Sequence, residues 1–412
     1  MTQAPVAAPP GPGRRVVVAW ALYDLANTIY SAVVVTAFLP SIFVKSWGSL
    51  KPIGITTSLT LLASAIVSPR LGAGVDRTGR ARRGLDIATN VCCVFSALLF
   101  FAVNWGPVPT LACYAVSLFA YQAALTYYNA LLPVVAPPHR RGFVSGLGTG
   151  LGYAGIPLAL LLGQWIMRAT PLGARGAFLL CAVLMTLGTI PLWLYVRDDP
   201  AAARRTPSPD APARTVRDAI AFVRTQPVLL LLLAANFVCA DVANTLIQYA
   251  TLYFEDYVGM PLERAVTLLI LLSLTAMVGG LVVGRFADRV PPTRLYAGAC
   301  AALVVGLVVA AEWPGHPVAT AMLIVTGGIG VSTIWSVGRQ LVVRVTPPER
   351  FGEALGLYGV TTKASIVGTT MFAVLRDHFG YRVAILVEAA VLAGGVLLIL
   401  ALGRRLAREA TP

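Results

Sequence analysis

Residues 23–30 read YDLANTIY, and residues 240–247 read ADVANTLI. The shared core, Asp-x-Ala-Asn-Thr, puts Asp24 and Asp241 each inside a long apolar run. A carboxylate in hydrocarbon costs roughly 2.5–3.5 kcal/mol on insertion scales. Two of them at matching places point to function in a duplicated architecture. Asp24, Asn27 and Ser31 are spaced i, i+3, i+7, and Asp241, Asn244 and Gln248 repeat that spacing, so each trio shares one helix face. The spacing predicts one polar stripe on each helix, and polar groups at such depth turn to a cavity or to one another.

The surroundings of the motif extend over the whole chain. Of 412 residues, 57% are hydrophobic and 12% charged, about half the charge of a typical soluble domain. Apolar runs near 16–44, 53–75, 85–105, 109–135, 142–165, 176–196, 228–254, 262–285, 293–311, 316–345, 352–375 and 381–403 approach the roughly 20 residues a spanning helix needs. The expectation is an all-α integral membrane protein of twelve transmembrane helices. The head, MTQAPVAAPPGPGRR, has no small-residue cleavage site after a short apolar core, so it is not read as a signal peptide.

A net charge of +14 would suggest nucleic acid in a soluble chain. Here the positions of the cations matter more. Arg14 and Arg15, the stretch RTGRARR at 77–83, the arginines of 197–227 and those of the tail fall on the side holding both termini. By the positive-inside rule that side is cytoplasmic, which places the chain in the cell (inner) membrane with lipid around it and no nucleic-acid partner. The stretch 197–227, rich in Pro, Ala, Arg and Asp, reads as a cytoplasmic linker in which TVRDAIAFVR forms a short interfacial helix. It divides a six-helix half, 1–196, from a second, 228–412.

The halves repeat beyond the Asp motif. GAGVDRTGRARR at 72–83 matches GRFADRVPPTR at 284–294, and PPHRRGFVSGLG at 137–148 matches PPERFGEALGLY at 347–358. Each pair maps a span onto the one six later, so the repeat is parallel, a transporter plan. The pattern Gly72-x-x-x-Asp76-Arg77-x-Gly79-Arg80 after span two resembles the signature loop of the major facilitator superfamily. Gly74 stands where that loop usually has Leu, and the second copy keeps Gly284, Asp288 and Arg289 with Pro291 in place of Gly. WALYDLANTIYSAVVVTAFLP, SPRLGAGVDRTGRARR, YYNALLPVVAPPHRRGFVSGLGTGLGYAG and EALGLYGVTTKAS together resemble the "unknown major facilitator" family, related to the autophagy-linked vacuolar amino-acid effluxers. The resemblance covers nearly the whole chain. It implies the major facilitator fold, with spans one and seven lining a central cavity and spans two, five, eight and eleven joining the halves.

The candidate site follows. Asp24, Asn27, Asp241, Asn244 and Gln248 are candidates for binding substrate or a coupling ion. Tyr128 and Asn129 of span four, Arg339 and Gln340 of span ten, and Lys363 of span eleven join them, the two cations suiting an anionic or zwitterionic cargo. Tyr127, Trp335 and Glu388 are further in-span candidates. A carboxylate near a cation keeps its charge, whereas one in an apolar site takes up a proton, a route to proton coupling. The resemblance gives Gly72, Asp76, Arg77, Gly79, Arg80, Asp288 and Arg289 a second role as a cytoplasmic gate, with each Asp near arginines and a helix N-terminus. Gly146-x-x-x-Gly150, Gly148-x-x-x-Gly152, Gly280-x-x-x-Gly284 and Gly352-x-x-x-Gly356 supply close-packing surfaces for a rocking joint.

Other chemistry finds no support. There is no Walker loop, zinc spacing or serine triad. The three histidines fall at loops or span ends, and the six cysteines sit in apolar runs as packing residues. The expectation is no enzyme, no cofactor, no metal and a monomer. Three functions remain open: an alternating-access carrier of a small solute, amino acids or similar zwitterions included; an exporter of hydrophobic drug-like compounds; and a non-transporting membrane sensor or scaffold.

Overall fold

The computed structural model describes residues 13–48, 51–198, 221–365 and 367–409. Eleven helical segments among them are long and apolar enough to cross a membrane. The last, Pro348–Arg408, has 61 residues, about 90 Å if straight at 1.5 Å per residue. It is broken at Gly380, where φ is 82° and ψ is 169°, a region open essentially to glycine alone. Phe372 before the break and Ile385 after it line one small cavity, so the chain reverses there. Among the described residues the bundle therefore has twelve crossings.

The first six are α1 (Arg14–Trp47), α2 (Pro52–Thr78), α3 (Ala81–Trp105), α4 (Pro107–Ala130), α5 (Arg141–Ala169) and α6 (Gly176–Tyr195). The second six are α7 (Pro227–Tyr257), α8 (Leu262–Ala287), α9 (Pro292–Glu312), α10 (Pro317–Val345), α11 (Phe351–Ala364, resuming at Val367 and ending at 379) and α12 (381–409). Most of the linker, residues 199–220, lies outside the described residues, and so does most of the expected interfacial helix. The chain is described again from 221, where Phe222 is buried beneath the Arg350 guanidinium, 4.2 Å from its ring centroid.

Apolar side chains such as Leu59, Ile87, Leu187 and Leu397 are exposed on the outside of the bundle, as lipid-facing helices require. α1 and α7 each depart from regular helix beyond their Asp motif. α1 has a π-helical turn at Ser31–Ala37 and α7 one at Tyr253–Tyr257. Such wide turns recur at functional sites.

Two crossings bring the halves closest, α2 with α11 and α5 with α8, and glycine decides both. A methyl group on Gly72 would collide with the Gly352 carbonyl, and one on Gly146 would collide with the Gly280 carbonyl. Small residues let backbones approach this closely. The other glycine pair of α5 faces inward: Gly148 packs on Tyr128 and Trp20, and Gly152 on Thr28 and Asp24.

Candidate functional site

Both joints end in a carboxylate set on a helix N-terminus. Asp76 of α2 accepts from the Gly352 and Glu353 backbone N–H groups at 2.7 and 2.8 Å, at the start of α11. Asp288, which closes α8, accepts from Gly142 and Phe143 N–H, both at 2.8 Å, at the start of α5. Each half gives one carboxylate and receives one. The first-turn N–H groups of a helix lack internal partners and carry partial positive charge, so these are strong, charge-assisted contacts. Gly79, with φ 64°, ends α2 just past Asp76 and returns its N–H to Val75. Arg77, Arg80 and Arg289 are exposed beside the latches.

Above the latches lies a cavity of about 400 Å³ between the halves. α1 presents Asp24, Asn27 and Ser31 to it, α4 presents Tyr121, Gln122 and Asn129, and α7 presents Asn244. Arg339 of α10 and Lys363 of α11 complete the polar wall. It extends to Val35 of α1 and Thr57 of α2, toward the end opposite the latches.

Arg339 is 5% exposed, and its hydrogen-bond partners are neutral. Its Nε donates to Ser145 Oγ at 3.1 Å and one terminal nitrogen to Asn129 Oδ1 at 2.9 Å. The other terminal nitrogen donates to the Ser145 carbonyl at 3.2 Å and to Thr149 Oγ1 at 3.4 Å. The guanidinium also lies 5.0 Å from the Trp20 ring centroid and 5.3 Å from that of Tyr128, within cation–π range. All these partners belong to the first six helices, whereas Arg339 belongs to the second six. Lys363 crosses the same way: its Nζ donates to Ser68 Oγ at 2.6 Å. Among the described residues, Asp24, Arg339 and Lys363 form no ion pair with one another. Among the described residues, the side-chain bonds between the halves lie between the latches and the level of Lys363. The protein is therefore sealed at the latched end.

Several candidates sit elsewhere. Helix neighbours point about 100° apart, so when Asn129 faces the cavity Tyr128 does not. It is buried and stacked on Trp20, with ring centroids 4.3 Å apart. Likewise Arg339 enters the cavity and Gln340 turns to the latch, its Nε2 donating to Asp288 Oδ1 at 3.3 Å. The expected meeting of two matching stripes is half realised. Asn244 reaches the cavity, held by Ser365 Oγ at 3.0 Å. Asp241 does not, because its Oδ1 accepts from Gly368 N–H at 2.8 Å, where α11 resumes after its interruption. Gln248 is exposed and Ile247 takes the wall position instead. Sequence reasoning passed over Trp20, Ser145 and Thr149, the groups that hold Arg339. Trp20 alone carried a signal, one helical turn before Asp24.

Twelve spans in two matched halves, sealed at one end by reciprocal latches beneath a polar cavity, define a membrane carrier of the secondary-transporter class. It is a transporter and not an enzyme. The chain belongs to the Major Facilitator Superfamily, whose profile matches residues 20–323 and 273–412. It is 26% identical over 385 residues, 88% of each chain, to the "Uncharacterized MFS-type transporter YxiO" of Bacillus subtilis (strain 168). It is 29% identical over 248 residues, 59% of this chain and 57% of the relative, to the "Multidrug resistance protein MdtG" of Serratia proteamaculans (strain 568). Among solved structures, the superfamily transporter FucP in its outward conformation superposes with a TM-score of 0.75, at 14% identity, over 94% of this chain and 97% of that one.

Proposed function

We propose that this protein carries a small anionic or zwitterionic solute across the cell (inner) membrane by alternating access, with protons as the coupling ion. Amino acids are the first class to test, in keeping with the resemblance to the "unknown major facilitator" family and its amino-acid-effluxing relatives. In this reading the protein works as a monomer with both termini cytoplasmic, and the Asp76 and Asp288 latches close the cytoplasmic end. The observation that carries the reading is a cavity with two cations, Arg339 and Lys363, and one carboxylate, Asp24, with no ion-pair contact among them. A cargo carboxylate fits the planar Arg339 fork, and a cargo ammonium fits Asp24. Asn27, Asn129 and Asn244 supply neutral hydrogen bonds around them.

The second reading is export of hydrophobic drug-like compounds. The MdtG relatives favour it, and so does the apolar part of the wall, with Leu61, Leu118, Leu125, Ile156 and Ile247. The test is uptake by proteoliposomes of a labelled amino-acid pool set beside a panel of lipophilic cations. Flux of the first and not the second supports the reading, and the reverse supports the exporter. Flux of neither, with Asp24→Asn leaving the cellular phenotype intact, removes transport and leaves the sensor.

A further inference from the structure

The second six helices enclose another space, of about 40 Å³, apart from the central cavity. α12 brings Glu388 to it and α7 brings Thr245. Glu388 is 2% exposed, and neither of its carboxyl oxygens has a hydrogen-bond partner among the described residues. The Thr245 hydroxyl is likewise without one. Asp241, one turn before Thr245 on α7, brings a second carboxylate, of the same sign, to that side of the helix. Among the described residues, Tyr249 and Tyr253 are the other titratable side chains on the wall, and no basic side chain lines it. The walls from α9, α10 and α11 are apolar, and Arg376 of α11 stands over the Tyr249 ring, 6.0 Å from its centroid.

An ionised carboxylate cannot rest there at small cost. Buried without a partner it costs several kcal/mol, and a second carboxylate beside it adds repulsion. A carboxylic acid has neither problem, and its O–H can donate. The space exceeds the roughly 10–15 Å³ that one water needs; Glu388 and Thr245 line it, and Asp241 stands one turn further along α7.

We propose that Glu388 and Asp241 form a proton-binding site inside the second half, separate from the solute cavity, and that this proton is the one coupled to transport. The coupling part rests on the transporter reading above, and the site itself does not. The proton arrives from one side of the membrane, binds a carboxylate oxygen and leaves to the other, with no other bond made or broken. Asp241 links the site to the cavity. It holds Gly368 N–H where α11 resumes, and Lys363 lies just before that interruption, on the cavity wall. A proton moving onto Asp241 weakens its hold on Gly368 and frees the segment that carries Lys363.

The test is infrared spectroscopy of the full chain in lipid vesicles, in an Asp24→Asn background that removes the cavity carboxyl. The expected result is a carboxylic C=O band that shifts in D₂O and disappears in Glu388→Gln. In Asp241→Asn the band remains and its titration moves by about tenfold or more in proton concentration, because a like charge has gone. With Asp24 intact, Glu388→Gln keeps solute exchange and loses accumulation driven by a pH gradient. A band unchanged in Glu388→Gln overturns the proposal, and so does a band that sodium removes at constant pH. If Glu388→Gln fails to fold, the Asp241→Asn titration decides alone, and an unmoved titration overturns it. A band that behaves as expected in a protein moving no solute overturns the coupling and leaves the proton site.

Discussion

Replacing Asp76 by Asn removes one charge and one of two acceptor oxygens from the latch onto α11. The carboxylate now accepts two backbone N–H groups at 2.7 and 2.8 Å. Hydrogen bonds to charged groups contribute about 1.5–3 kcal/mol each, and neutral ones about 1. Asn keeps one neutral acceptor and turns its own N–H₂ toward a donor. With the site partly open to solvent, the net loss is about 2 kcal/mol, and each 1.4 kcal/mol is tenfold. The ratio of latch-closed to latch-open protein should fall about 30-fold in Asp76→Asn. In Asp76→Asn/Asp288→Asn the two effects should add, since distant sites behave independently. Spin labels at Arg83 and Arg404, exposed residues of the two halves at the latched end, report the distance between halves. Cys113→Ser removes the partly exposed cysteine, and the other five are buried. A longer-distance population should grow in the single variant and dominate in the double. Unchanged distance distributions in both would refute the argument that these carboxylates hold the closed end.

Three further outcomes follow from the geometry. Arg339→Gln removes one of the two cations facing the cavity; binding of the solute found by the panel should weaken by at least about 2 kcal/mol, as for other buried charge partners, read by calorimetric titration. Arg339→Lys should restore little of it, because an ammonium lacks the planar fork. Gly146→Val drives a side chain into the Gly280 carbonyl and the Gly284 backbone. Such overpacking costs about 1–3 kcal/mol and should lower the thermal unfolding midpoint in detergent. Gly380→Ala meets no atom within 4 Å, so its cost is purely conformational, about 1–3 kcal/mol; a midpoint equal to wild type would exclude strain at the reversal.

The architecture was legible because its causes are local and repeated. Apolar runs mark the spans, and the paired loops around Asp76 and Asp288 mark the duplication; those Asp residues grip the paired stretches at 352–353 and 142–143. The site was legible only to the precision of a helix face. Asn129 and Arg339 reach the cavity while their neighbours Tyr128 and Gln340 do not, and one residue of helical rotation separates the outcomes. Asp241 shows a different limit. Its motif copies that of Asp24, yet its surroundings depend on where α11 is interrupted, and no glycine or proline pattern in TTKAS announces that. Ser145 and Thr149 escaped notice because hydroxyl residues are ordinary in spanning helices, where they bond to their own backbone.

The setting of Arg339 bears on leak. Its charge is carried by one half and solvated by oxygens and rings of the other. While the halves move in the proposed cycle, before water enters from the latched end, those neutral dipoles withdraw and the guanidinium loses its substitute for water. A bare charge at that depth costs several kcal/mol, whereas a bound anion would travel with it. Empty carriers would then reorient slowly and loaded ones quickly. Exchange of solute for solute would outpace net flow, and futile cycling of an unoccupied protein would be suppressed without any dedicated plug.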